Sequence, residues 1–205
     1  MIVESIDNLL QIFILIICTI VSFLRALAGD KSWILLFLFY GCWLLGVLYW
    51  LFCIVFYQST PQISVISDLS WYAAYIFLYM LIRQTAPPEK ALSKKFIVWL
   101  GPLFCAAMMI FFIQFGAVVS NLIYAGLMGL LTYASLHRIT EKKRYHEQCW
   151  LCVVILIICL LEYVLWTVSC FFEGNTLSNP YYWIDCILSF SFLFLLPAAK
   201  KAVVS

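Results

Sequence analysis

Residues 149–172 read CWLCVVILIICLLEYVLWTVSCFF, a run of membrane-crossing length broken by a single charge, Glu162. A helix needs about 20 consecutive apolar residues to cross the hydrocarbon core of a bilayer. Working outward from this run, the chain contains others of the same kind: Leu9 to Leu27, Trp33 to Tyr57, Val65 to Ile82, Phe96 to Phe115, Val118 to Leu136 and Tyr181 to Ala199. Together they predict an all-α, polytopic membrane protein, with seven transmembrane helices in a single domain over residues 1–205. The runs are continuously apolar and not alternating, which excludes a β-barrel. The tightest connection falls between the fourth and fifth runs, where only Gln114, Gly116, Ser120 and Asn121 break the pattern.

Composition agrees. The 205 residues are 66% hydrophobic, 18% aromatic and 11% charged, against about 45–50% apolar and about 25% charged in an ordinary soluble domain. A soluble globule, a disordered chain and a nucleic-acid binder with a clustered basic face are all excluded. The spans leave no room for a soluble catalytic domain. The chain also lacks a P-loop, an HExxH, a paired CxxC and a Ser-His-Asp set, so no cofactor and no ordinary hydrolytic, metal or nucleotide chemistry is expected.

Direction follows from charge, because basic loops are retained on the cytoplasmic side. Arg25 and Lys31 follow the first run; Arg83, Lys90, Lys94 and Lys95 the third; Arg138, Lys142, Lys143 and Arg144 the fifth; Lys200 and Lys201 the seventh. These are all 12 basic residues, and they share one side. The amino terminus is therefore expected outside and the carboxyl terminus inside. The first run is read as a retained helix and not a cleaved signal peptide, since Glu4 and Asp7 precede it in place of a basic n-region.

The nine cysteines fall almost wholly within the apolar runs, and an odd number without loop spacing argues against a disulfide framework. Cys149 and Cys152 form a CxxC beside His146, but a lone pair with one histidine falls short of a zinc site. They read as small apolar residues at helix contacts.

The halves of the chain match weakly. Leu44 to Trp50 (LLGVLYW) parallels Leu160 to Trp166 (LLEYVLW), and Ser22 to Arg25 parallels Ser135 to Arg138. Asp68 and Asp185 follow the two tryptophans at nearly the same distance. This suggests that spans one to three repeat as five to seven, with span four as connector and an axis along the membrane normal.

Asp68, Glu162 and Asp185 lie inside spans. An acid at a helix centre costs about 2.5–3.5 kcal/mol on insertion scales, so such residues usually face the bundle interior or a wet cavity. Glu162 stands roughly 15 Å from the outer end of its helix, near mid-membrane. Helical spacing joins it to Trp166 and Ser169, Asp68 to Trp71, Tyr72 and Tyr75, and Asp185 to Ser189 and Phe192, with Gly46 and Trp50 on a fourth face. Converging, these faces would line an outward-facing acidic and aromatic vestibule, with Glu162 at its base and Asn121 on its rim. Carboxylates beside aromatic faces suit a cation, so a small cationic or amphipathic ligand is the expected partner besides the lipid bilayer.

The segment TPQISVISDLSWYAAYIFLYM (60–80), preceded by LLGVLYW, resembles the outer loop and third helix of bacterial seven-helix sensory membrane domains fused to diguanylate cyclases or histidine kinases. The shared features are Asp68, the aromatic Trp71 and Tyr75, and NPYYWIDCILSFSFLFLLPAAKK (179–201) resembles their last helix. The chain also resembles a stand-alone seven-helix family of gut Firmicutes. The resemblance implies a bacterial inner-membrane sensor which, with no output domain after Lys201 in these residues, signals through a cytoplasmic partner. The helix count is similar to three-plus-one-plus-three sugar transporters, and the Glu162–Asp185 pairing is similar to seven-helix terpene cyclases. Those likenesses imply the alternatives of a small-solute transporter and an intramembrane lipid or isoprenoid enzyme.

Overall fold

The computed structural model describes residues 2–58, 65–85, 95–116, 118–141 and 146–203. The Pro61–Gln62 step and the basic residues Lys90, Lys94, Lys142, Lys143 and Arg144 lie outside these ranges. The described elements are all helical: α1 (Ile2–Leu27), α2 (Lys31–Phe52, continued by a π-helical turn over Cys53–Tyr57), α3 (Val65–Gln84), α4 (Phe96–Phe112), α5 (Val118–Thr140), α6 (Cys149–Phe171, entered through a short 3-10 turn) and α7 (Pro180–Val203).

All of these except α4 are long and apolar enough to cross a membrane, which makes the chain a multi-pass helical membrane protein. The fourth helix is the exception to the expected set of full spans. Its 17 residues rise only about 25 Å against a hydrocarbon core of about 30 Å. Helix α4 stops at Phe112 because the chain must turn before α5; Asn121 Nδ2 donates to the Phe112 carbonyl at 3.0 Å and satisfies one of the terminal acceptors. The other boundary that moves is the first. Helix α1 starts at Ile2, not Leu9, which brings Glu4, Asp7, Asn8 and Gln11 into its opening turns.

Helix α1 packs on α2 and α7, α2 on α3, α3 on α5, α5 on α6, and α6 on α7. These contacts close a ring. Helix α4 lies outside it against α5, with the Phe104 and Phe112 rings reaching Tyr163 of α6 at 5.3 and 6.4 Å. The amphipathic α1 illustrates how the ring is oriented: Phe13 and Leu24 are 63% and 60% exposed, while Leu15, Cys18 and Ser22 are buried. The exposed face suits lipid contact and the opposite face suits helix packing.

Close approach of helices is set by small residues, as is usual in membrane bundles. A Cβ built on Gly46 would meet Trp71 Nε1 at 2.6 Å, and one on Gly101 would meet the Thr132 side chain at the same distance. Glycine at these positions lets α2 approach α3, and α4 approach α5.

Among the described residues, one end of the ring is packed and the other opens into a cavity. Toward the start of α2 and α6, Leu36, Leu78, Leu131, Ile155, Ile158 and Leu195 are at most 1% exposed and form a continuous aliphatic core. Above it, Phe39, Trp43, Tyr75 and Phe192 interlock through ring contacts of 4.9–5.9 Å. This aromatic layer, tied by a 2.7 Å hydrogen bond from Tyr40 Oη to the Phe192 carbonyl, is the floor of the hollow end.

Candidate functional site

The hollow end is built first from α1 and α7. Glu4, Asp7, Asn8 and Gln11 stand at i, i+3, i+4 and i+7, so one helical face carries them all. That face meets α7, where Gln11 Nε2 donates to Asp185 Oδ1 at 3.1 Å. The Asp7 carboxyl lies against that of Asp185. Asp7, Gln11 and Asp185 are all buried.

Asparagine and proline fix where α7 begins. Asn179 Oδ1 accepts from Tyr181 N at 3.0 Å, and Pro180 occupies the first helical position, where a missing N–H costs nothing. Asn179 Nδ2 also donates to the Gly174 carbonyl, and Trp183 Nε1 donates to the Leu177 carbonyl. The segment between α6 and α7 is thereby held as a shaped rim. It is fastened to α1 by two further bonds: Glu4 N donates to Asn175 Oδ1 at 3.0 Å, and Asn175 Nδ2 donates to Glu4 Oε2 at 3.1 Å.

Within this rim opens a cavity of about 1020 Å³. Glu162, 4% exposed, lies at its base. Asp185 and Gln11 are on the wall, and Glu4 and Asn175 on the rim. Aromatic side chains supply most of the remaining surface: Trp43, Trp50, Trp71, Tyr75, Tyr124 and Trp166. The rings brace one another, with Trp50–Trp71 at 6.1 Å, Tyr124–Trp166 at 4.7 Å and Trp43–Tyr75 at 5.3 Å. Among the described residues no lysine or arginine lines the cavity.

Two polar atoms of the lining lack partners. Trp71 Nε1 and the Tyr75 hydroxyl are buried without a hydrogen bond. Tyr75, 1% exposed, faces the Glu162 carboxyl without reaching hydrogen-bond geometry. Buried polar groups are nearly always satisfied, so an orphaned hydroxyl at a cavity wall calls for an explanation.

The structure thus brings together Glu162, Asp185, Trp50, Trp166, Trp71 and Tyr75 of the residues expected from sequence. Asp68, Tyr72 and Asn121 stand elsewhere. Ser120 Oγ donates to Asp68 Oδ2 at 3.3 Å and lies 2.6 Å from Tyr72 Oη, forming a polar cluster between α3 and α5. Tyr124 separates this cluster from the cavity, its ring 4.7 Å from that of Tyr72. Asn121 caps α4, and Gln114 is exposed in the turn. The residues that sequence reasoning missed are Glu4, Asp7, Asn8 and Gln11, whose helical spacing was the available signal.

Away from the cavity, all nine cysteines are free thiols. Cys149 Sγ donates to the Arg138 carbonyl at 3.9 Å, and His146 Nδ1 lies 3.3 Å from Glu147 Oε1. No group of three or more metal-ligating side chains occurs among the described residues.

No protein-family model, curated protein or solved structure matches the chain.

Proposed function

We propose that the chain is a cell-membrane binding or sensory module whose cavity receives a small organic cation from the extracytoplasmic side. The observation that carries this reading is the lining itself: carboxylates from α1, α6 and α7, aromatic walls, and no lysine or arginine among the described lining residues. Uncompensated carboxylates in a low-dielectric site favour a positive ligand, and ring faces add cation–π attraction.

Several features support the orientation. The described basic residues Arg25, Lys31, Arg83, Lys95, Arg138, Lys200 and Lys201 occupy helix ends opposite the cavity, so the positive-inside rule puts the cavity outside. The bacterial inner membrane and a cytoplasmic partner at the basic end follow from the resemblance to sensory domains. The packed aliphatic core below Phe39 and Phe192 favours a receptor over a carrier.

The contacts also favour an internal duplication. Aligning Ser22 with Ser135 pairs Asp7 with Ser120 and Gln11 with Tyr124. The α1–α7 contact of Asp7 with Asp185 then has its counterpart in the α5–α3 contact of Ser120 with Asp68.

The test is thermal unfolding of the purified protein with butylammonium. Saturation at a hundredfold above Kd stabilises by about 2.7 kcal/mol, a shift of several degrees in Tm. Glu162→Gln should unfold at a similar temperature without ligand and lose the shift. An unresponsive wild type, or an equal response from Glu162→Gln, would overturn the reading.

A further inference from the structure

The carboxylates of the cavity are arranged in series. Asp185, on the wall, is five residues into α7, and Asp7, packed against it but outside the lining, is five residues beyond the start of α1, so both lie roughly 7.5 Å below the rim. Glu162 is nine residues before the end of α6, a depth of roughly 13.5 Å. The two levels are separated by about 6 Å along the bundle.

What lies between the levels differs from what lies at them. Leu165 is one turn above Glu162 and Leu188 one turn below Asp185, and both line the cavity with Val47. The wall therefore alternates from acid to apolar to acid. At the upper level, Gln11 occupies one oxygen of Asp185 and Asp7 lies against the same carboxyl. Two carboxyl groups in contact, with no basic residue among the described lining, need either a shared proton or a cation between them. At the lower level the Tyr75 hydroxyl, buried and unpartnered, stands beside Glu162 as a second acceptor for an N–H donor. A single ammonium group would satisfy one level and leave the other as it is.

We infer that the ligand is a linear α,ω-diamine, with one ammonium held by Glu162 and Tyr75, the other by Asp185, whose carboxyl Asp7 backs from outside the lining, and its methylenes against Leu165 and Leu188. This rests on the reading that the cavity binds an organic cation. Extended butane-1,4-diammonium sets each ammonium at its own acidic level with the methylenes between, whereas ethane-1,2-diammonium draws its ammonium groups inward among Leu165, Leu188 and Val47.

Titration of the detergent-purified full chain with butylammonium, ethane-1,2-diammonium and butane-1,4-diammonium at constant ionic strength tests the inference. The four-carbon diamine should bind at least tenfold more tightly than either of the others. Asp7→Asn, and independently Asp185→Asn, should reduce that advantage to less than threefold. A wild type that binds butylammonium and butane-1,4-diammonium equally would overturn the diamine assignment alone and would point to a proton shared by Asp7 and Asp185. Folded protein that binds none of the amines would overturn the cation reading as well. The comparison of amines on the wild type stands even if a variant fails to fold.

Discussion

Trp71 reaches the cavity wall only because residue 46 has no side chain. A methyl group there would collide with the indole at 2.6 Å, and overpacking of this kind costs about 1–3 kcal/mol. Gly46→Ala should therefore lower Tm by several degrees and shift the tryptophan emission, since Trp71 must leave its contact with Trp50; unfolding followed by fluorescence measures both. The Tyr75 hydroxyl makes the opposite kind of prediction. Removing a buried, unpartnered group relieves a desolvation penalty of about 1–3 kcal/mol. Tyr75→Phe should leave the free protein as stable or more stable while weakening amine binding several-fold. A hydroxyl with a purely structural role would instead lower Tm on removal and leave affinity unchanged.

The helices themselves were legible because the bilayer leaves a chain no alternative. The apolar runs that the sequence marks out between 33 and 57, 65 and 82, and 149 and 172 are helical, the last as far as Phe171, since unpaired backbone groups are too costly in lipid. The apolar run begins only at Leu9 because Glu4, Asp7 and Asn8 depress local hydropathy, whereas the helix begins at Ile2. What makes these opening turns helical is tertiary: their polar face is covered by α7 and the rim. Periodicity likewise put Asp68, Trp71, Tyr72 and Tyr75 on neighbouring parts of one helix, but it could not say which neighbour each would face. Trp71 and Tyr75 turn toward the cavity and Asp68 and Tyr72 toward α5. Helix α7 supplies a test at this scale. Loss of the Asn179 cap costs about 1–2 kcal/mol and also releases the Gly174 carbonyl, so Asn179→Ala should increase amide exchange at the start of α7 well before the helix core.

For the whole molecule, the separation of charge is the larger pattern: the described lysines and arginines all lie at the packed end, where Asp30, Glu141 and Glu147 accompany them, whereas the hollow end carries Glu4, Asp7, Glu162 and Asp185 and no described lysine or arginine. A fluorescent protein fused after Ser205 should mature and fluoresce, and Leu177→Cys in a cysteine-free background should react in intact cells with a membrane-impermeant thiol reagent. Labelling only after the membrane is opened would reverse the proposed orientation. The ring of helices places equivalent contacts on opposite sides, yet only the α1–α7 side joins two acids; the α3–α5 side has Ser120 in the matching place. On the proposed duplication and the proposed cation site, recognition is concentrated on the α1–α7 side. The fastening of Asn175 to Glu4 lies on that same side, across the mouth of the cavity. A fastening that closes again over a bound amine adds little to affinity and acts on the clock: Asn175→Ala should speed arrival and departure of an amine together, leaving Kd nearly constant while residence time shortens.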